Sequence, residues 1–414
     1  MKIAVIGSGI SSLTCAYLLS PHHEVHLFEA NDYLGGHTNT IAVNAKSGTY
    51  AVDTGFIVFN EKNYPGFTML VSLCGVESQD SSMSFSVKSE KNGLEYNGGD
   101  LNQLFAQRKN IFNLKFLKML SEILRFNKES VRDYDTEGDG ISIGDYLTAK
   151  KYSSYFAEHY VLAMGAAIWS SSSKQMLDFP FDYFVIFLRN HGMLTINDRP
   201  TWKTIRGGSK TYIPKLIKGL EGRVHLNSAV RAIKHTRLGV ALHSSSGLLG
   251  EFDQVIIGTH SDQALKMLET PSPLEVEILG AIKYQLNETT LHTDESVLPS
   301  KKKTWASWNY FLPAEASSKV SISYNMNILQ GIKSPESFIV SLNSDHYIDP
   351  TKVINKFTYH HPVFDAHAVV AQKGWTKISG VDRIHYCGAY WGHGFHEDGV
   401  QSAFRVCKSI GVEI

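Results

Sequence analysis

An α/β fold built on a parallel sheet, with a second α+β region inserted into it, is what three stretches of this sequence predict. The first is an apolar strand, Lys2 to Ile6, that runs into Gly7-Ser8-Gly9-Ile10-Ser11-Ser12 and is followed by a second apolar strand, Glu24 to Phe28, closed by Glu29. The second is a pair of mid-chain strands, Val224 to Ile233 and Gln254 to Ile257, separated by a polar hairpin and ending at Gly258-Thr259. The third is Asp382 to Tyr390, a strand ending in a glycine turn at Gly388, after which Asp398-Gly399-Val400 opens a closing helix. Three separated pieces of one sheet imply a Rossmann-like domain interrupted by insertions.

Each part of the opening unit has a physical reason. Gly7 allows the tight turn, and Gly9 lets the backbone approach a pyrophosphate, whose charge would meet the free N–H groups and positive end of a helix starting near Ile10. Leu13, Ala16 and Tyr17 share one face of that helix, as packing on a sheet requires. Glu29 stands 20 positions after Gly9 (29 minus 9), where an acid accepts both ribose hydroxyls of a dinucleotide. Ser12 occupies the third fingerprint position, at which glycine gives close helix-to-strand packing. The unit as a whole predicts a dinucleotide site made of Gly7, Ser8, Gly9, Ile10, Ser11, Ser12, Glu29 and Ala30.

Beyond Glu29 come Leu34-Gly35-Gly36-His37-Thr38 and Val52-Asp53-Thr54-Gly55-Phe56. Glycines here suit a chain that doubles back beneath a long ligand, and they equally suit ordinary turns. At this point the sequence resembles the flavin amine oxidase superfamily, whose pattern of strand, G-x-G-x-x-G-L, acid and Leu-Gly-Gly-Arg is matched by Gly7, Gly9, Leu13, Glu29 and Leu34-Gly35-Gly36. Two departures are Ser12 for the third glycine and His37 for the arginine that often serves the cofactor's polar middle. A histidine would do so with a charge that depends on pH.

The resemblance implies FAD, held by a domain of the glutathione-reductase and amine-oxidase type. It adds Gly35, Gly36, His37, Thr38, Gly55, Phe56, Val230, Thr259, Gly388, Asp398, Gly399 and Val400 to the cofactor site, with Arg206-Gly207-Gly208 as a glycine pair near the ring. In the family the closing helix points its N-terminus at the flavin edge that gains negative charge on reduction. Tyr347 to Gly380 contains no cysteine, so the expected FAD is noncovalent. Asp53 to Asn60, Met164 to Ser170, Ser307 to Tyr310 and Gly394 to Gly399 are similar to a group of bacterial FAD proteins whose domains occur beside, or in plants fused to, cyclopropane fatty acid synthases.

A length of 414 residues makes two domains the natural expectation. We read residues 1–80, 206–270 and 375–414 as a discontinuous FAD-binding domain. Residues 81–205, mostly helical, and 271–374, strand-rich, would form the substrate domain. Ile111 to Lys128 has leucines and isoleucines at helical spacing with lysines between them, which suits a helix packed on the core or a basic helix touching a membrane.

With 43% hydrophobic and 19% charged residues, and Lys+Arg equal to Asp+Glu at 40 each, the composition is that of a folded protein with no bias towards nucleic acid. Four scattered cysteines and no apolar leader before the strand at residue 2 point to the cytoplasm. No His/Asp/Glu set has metal-ligand spacing, so no metal is expected. No close cysteine pair and no second glycine fingerprint occur, which excludes disulfide reductase chemistry and argues against a separate NAD(P)H domain.

Flavin takes hydride at N5, so the chain must place a C–H bond there. His396, Tyr390 and Trp391 are the catalytic candidates, with Trp308 and Tyr310 as further aromatics; a structural hydrogen-bonding role for His396 is the alternative. The apolar run Phe179 to Leu188, with Trp169, Trp202, Trp305 and Trp308, fits either core packing or an apolar substrate such as a fatty acyl chain. Oxidation, desaturation or isomerisation of such a chain is the expected activity and amine oxidation the runner-up. A reading of another class is a non-catalytic FAD-binding partner of a lipid-modifying methyltransferase, or more broadly of an acyl-modifying enzyme.

Overall fold

The computed structural model describes residues 1–137, 140–195, 199–315 and 319–413; residues 138–139, 196–198 and 316–318, all in the expected insertions, and residue 414 lie outside the described residues. The three separated pieces of sequence meet in one five-stranded parallel sheet, ordered Val224–His225, Glu24–Phe28, Lys2–Ile6, Gln254–Ile257 and Ile384–Tyr386. Both faces are covered, which is why Ile3 to Ile6 carry no polar side chain and are all buried. Ile6 pairs with both Phe28 and Ile257. Gly7, Glu29 and Gly258 therefore leave the sheet at one level, on the C-terminal edge where open parallel sheets bind ligands.

The opening helix, Ile10–Leu19, and the closing helix, His396–Ser409, pack together over one face. A three-stranded antiparallel sheet, Ala232–His235, Val240–Ser244 and Gly247–Phe252, covers part of the other. The stretch Val224 to Ile233, which reads as one strand, is two. Asn227 adopts a left-handed conformation with φ 50°, and the N–H groups of Asn227 and Ser228 donate to the carbonyls of Asn31 and Glu29. Asparagine tolerates that backbone better than most residues, and the bend delivers Ala229 and Val230 to the same sheet edge.

The insertions build a seven-stranded sheet ordered Val353–Val363, Lys283–His292, Ile339–Leu342, Ser321–Asn325, Trp308–Leu312, Phe85–Ser89 and Leu94–Asn97. Its last two strands come from the segment that reads as mostly helical, and Phe85 pairs in parallel with Trp308. Helices Leu114–Glu137, Leu162–Trp169 and Phe181–Asn190 pack against this sheet through Phe116, Met119, Phe126, Trp169 and Phe184. The long helix starts at Leu114 rather than Ile111 because Asn113 caps it, its Oδ1 accepting from the N–H groups of Lys115 and Phe116 at 3.1 and 3.3 Å. Among the described residues no helix is long and apolar enough to cross a membrane.

Candidate active site

A cavity of about 810 Å3 is lined at one end by the parallel sheet's C-terminal edge and at the other by the inserted region. The sheet end is built by Gly7, Ser8, Gly9, Ile10, Ser11, Glu29, Ala30, Gly35 and Gly36, joined by Val230, Thr259 and Gly388. Gly9 is the N-cap of the opening helix and has no side-chain cap, so the first N–H groups of the helix remain available. A Cβ on Gly9 would meet no protein atom within 4 Å. The space in front of it is a cradle, shaped by a backbone that needs no side chain there.

Glu29 is buried at that end and already oriented. Its Oε2 accepts from Ser8 Oγ at 2.6 Å, and its Oε1 accepts from the backbone and side-chain nitrogens of Asn31, both at 2.9 Å. Ser8 Oγ in turn accepts from Gly35 N at 3.1 Å. Ser8 thus links the glycine turn, the acid and the second glycine pair. The serine's place in the turn gives its position but not this bridging role.

Ser12 and Gly258 exchange roles. A Cβ on Gly258 would lie 2.0 Å from Ser12 Oγ. The close helix-to-strand contact that the third fingerprint glycine normally allows is kept here by placing the glycine on the strand instead. Ser12 is fully buried and packs rather than lining the cavity.

In the middle of the cavity, His37 stacks on Tyr359 at 4.8 Å and lies 5.3 Å from the ring of His361. Burial, reinforced by the neighbouring histidines, holds its pKa well below the ordinary value, and burial takes His260 and His361 down to about 4. These rings are neutral at pH 7 and can each donate one N–H. The cavity is also lined here by polar atoms without a protein partner: His37 Nε2, Tyr390 Oη and His393 Nε2. Buried polar atoms are normally satisfied, and a polar ligand along this path would satisfy them.

Several residues expected at the cofactor do other work. Arg206 is exposed and pairs with Glu77 at 3.3 Å, and Gly207 is exposed. Gly208, at φ 94°, packs so closely that a Cβ would meet Thr40 Cγ2 at 2.4 Å. None of the three lines the cavity. This turn delivers Ser209, whose N–H and Oγ both donate to Asp53 Oδ1 at 2.9 Å. Asp53 also accepts from Thr40 Oγ1 and Gln330 Nε2, joining three distant segments beneath the cavity, and burial raises its pKa to about 6. Gly55 lines the cavity, yet a Cβ there would lie 2.2 Å from the His37 carbonyl oxygen, so close chain packing also demands it.

At the closing helix, Asp398 Oδ2 accepts from Phe395 N at 2.9 Å as an N-terminal cap, and burial raises its pKa to about 6. A Cβ on Gly399 would meet Ser11 Oγ and Ile10 Cγ2 within 2.9 Å, and Val400 is fully buried. These three residues seat the helix N-terminus against the glycine turn and do not themselves line the cavity.

His396 does line it, with a ring stacked 3.5 Å from Phe56. Its Nε2 lies 3.1 Å from both Thr38 Oγ1 and Tyr212 Oη, which also contact each other. Burial takes its pKa down to about 3, so the ring is neutral and one nitrogen is occupied. That geometry suits positioning of Phe56 and the helix start better than proton transfer through Nε2. Tyr390 is buried and lines the cavity, whereas Trp391 is buried outside it and packs into the core. Of the other aromatics, Trp308 lines the cavity and Tyr310 does not.

The far end is an apolar chamber of Tyr64, Met83, Ile168, Trp169, Phe187, Met193, Trp202, Trp308, Tyr324 and Leu342. Phe187 alone among the phenylalanines of the run 179–188 reaches it; Phe179, Phe181 and Phe184 are buried in the core of the inserted region. Among the described residues the only Asp, Glu, Lys or Arg side chains on the cavity wall are Glu29, Arg231 and Lys266. Glu29 and Arg231 belong to the sheet-edge segments, and Lys266 to the helix Ser261–Met267 that follows Thr259.

The family model described as flavin containing amine oxidoreductase matches residues 10–318. An L-amino-acid oxidase of Siganus canaliculatus is 24% identical over 313 residues, covering 71% of this chain and 57% of that protein. The chain therefore corresponds to little more than half of that relative's length. Among solved structures, a cyclohexylamine oxidase from Brevibacterium oxydans superposes with TM-score 0.67 at 15% identity, covering 99% of this chain and 98% of the other. A CLA-producing fatty acid isomerase from P. acnes superposes with TM-score 0.71 at 13% identity, covering 99% of both chains. At these identities the structural likeness establishes the fold alone.

Proposed function

This chain belongs to the flavin containing amine oxidoreductase family, and from that premise, as a flavin-dependent oxidoreductase, we propose that it binds FAD noncovalently and acts on an apolar substrate such as a fatty acyl chain. The aromatic and aliphatic lining of the chamber, with Ile168, Trp169, Phe187, Trp308 and Leu342 on its wall, carries the reading. A substrate ammonium or carboxylate inside it would lose water and find no counter-ion among those residues, at a cost of several kcal/mol, so the carboxylate of a fatty acid would stay outside the chamber and only its chain would enter. An acyl chain would gain about 25 cal/mol for each Å2 of its surface removed from water.

The residues fit FAD in detail. Glu29 would accept from the ribose, the N–H groups beyond Gly9 would meet the pyrophosphate, and the unpartnered atoms of His37 and Tyr390 lie further along the same cavity. When bound, the flavin supplies hydride acceptance at N5. The chain's own part is to orient the cofactor between its two helix N-termini, exclude water with Trp169, Trp308 and Phe187, and hold the substrate's reacting bond. Four buried free thiols, Cys15, Cys74, Cys387 and Cys407, support a reducing compartment, the cytoplasm.

Anaerobic titration of the purified yellow protein tests this reading. Bleaching of the flavin by long-chain fatty acids or a lipid extract, with no response to simple amines, is expected for oxidation or desaturation. An isomerase would instead return the hydride, converting a polyunsaturated acid without net bleaching. Bleaching by amines alone would establish amine oxidation. A protein that is reduced by dithionite but neither bleached nor active on any of these substrates would point to an FAD-binding partner of another enzyme.

A further inference from the structure

The segment Leu101 to Lys128 presents to solvent what a core-packed helix normally hides. Phe112 is 86% exposed, Leu114 80% and Leu101 74%, with Ile111, Leu117 and Leu124 also exposed. Leu114, Leu117 and Leu124 follow helical spacing along the outer face, while Phe116, Met119 and Phe126 face the core. Every exposed charged side chain in this segment is a cation: Arg108, Lys109, Lys115, Lys118 and Lys128. Its one carboxylate close to this face, Glu122, is buried and accepts from Ser153.

This concentration of positive charge occurs in a chain with equal numbers of acids and bases, so it does not reflect general basicity. Beside Phe112 lies a separate cavity of about 330 Å3 walled by Lys109, Lys115, Asn92, Asn110 and Asn113. It offers ammonium and amide donors at the root of the most exposed apolar side chain. An apolar tip, a ring of cations and a donor-lined hollow behind it match the depth profile of a bilayer surface: acyl chains, then phosphates, then headgroup.

We infer that residues 101–118 dock the protein on an anionic lipid bilayer, with Phe112 and Leu114 entering the acyl region and Lys109 and Lys115 held at the level of the lipid phosphates. Charge complementarity selects the membrane as occupant, because the patch supplies the exposed cations Arg108, Lys109, Lys115 and Lys118 for lipid anions, against one exposed carboxylate at its edge, Asp100, which caps the helix beginning at Leu101. The docking stands whether or not the substrate is a lipid.

Co-sedimentation of the flavin-loaded protein with vesicles of phosphatidylcholine, with and without phosphatidylglycerol, tests it. Binding is expected only with phosphatidylglycerol and should weaken as salt rises. Lys109→Glu and Lys115→Glu should each weaken it by about fivefold or more. Phe112→Ser with Leu114→Ser should weaken it at least about tenfold, Phe112→Leu should restore most of it, and Leu238→Ser, an equally exposed site elsewhere, should leave it unchanged. Flavin content and melting temperature should not move in any of these. No binding to either vesicle, binding indifferent to Phe112→Ser, or a dimer that Phe112→Ser dissociates would each overturn the inference.

Discussion

The two ends of the cavity are built on opposite terms. At the sheet edge, Gly9, Ser8 and Glu29 come from one short βαβ unit, with polar groups fixed by hydrogen bonds and charge on the wall. At the chamber, Tyr64, Trp169, Phe187, Trp202 and Trp308 come from widely separated segments, and the described wall carries no charge. The first end holds a ligand by direction, the second by exclusion of water. Substitutions that separate folding from ligand binding should therefore behave differently at each end.

The largest contrast is within the glycines. Gly9→Val should fold with a stability change within about 1 kcal/mol, because no protein atom opposes its Cβ, yet purify without flavin. Gly55→Ala should instead cost about 3 kcal/mol of stability, since its Cβ would meet a backbone oxygen at 2.2 Å. Flavin absorbance and denaturant titration distinguish the two. If both variants lose only flavin, Gly55 serves the ligand rather than the chain.

Gly258→Ala should destabilise by about 2 kcal/mol through its contact with Ser12 Oγ. Ser12→Gly in the same molecule should recover at least half of the loss, despite the cost of about 1 kcal/mol for glycine in a helix. A double-mutant cycle measured by chemical denaturation checks this, and additive losses would break the exchange of roles.

These cases show what the sequence makes legible. Glu29 and the glycine turn follow from spacing within one local unit, so pattern alone places them. The Ser12–Gly258 exchange joins residues far apart in the chain, and each looks unremarkable without the contact. Arg206-Gly207-Gly208 reads as a cofactor turn because a glycine pair signals only that something approaches closely; here it is Thr40 and the Asp53 network. Val224 to Ile233 reads as one strand because its apolar pattern continues through Asn227, where the chain turns towards Glu29. The strands at 85–97 are hidden for a related reason, since their partner at 308–312 lies in the other insertion.

Buried histidines, in the cavity and outside it, govern pH dependence. His260, His361 and His393 are held at about 4 and His396 at about 3, as are His191, His292 and His385 at about 4 elsewhere. Folded values below the unfolded value of about 6.5 mean that the unfolded chain binds more protons between about 4 and 6.5. Stability is then full above that range and falls as the pH drops through it. Asp53 and Asp398, raised to about 6, act oppositely, losing stability as pH rises from about 4 to 6, but they are fewer. Melting temperature should therefore fall on acidification from pH 7 to about 5, and His396→Gln should make that fall shallower.

The smallest effect is expected in the chamber. Trp308→Ala should raise KM for an apolar substrate by about tenfold while leaving flavin content and fold intact. A loss of flavin instead would join the two ends into one cofactor site.

A crystal structure of the flavin-loaded protein soaked with a long-chain fatty acid tests the two-ended cavity most directly. The adenosine ribose is expected against Glu29 and the acyl chain among Trp169, Phe187 and Trp308. An acyl chain bound outside that chamber, or a cofactor whose adenosine lies among those aromatics, would contradict that arrangement.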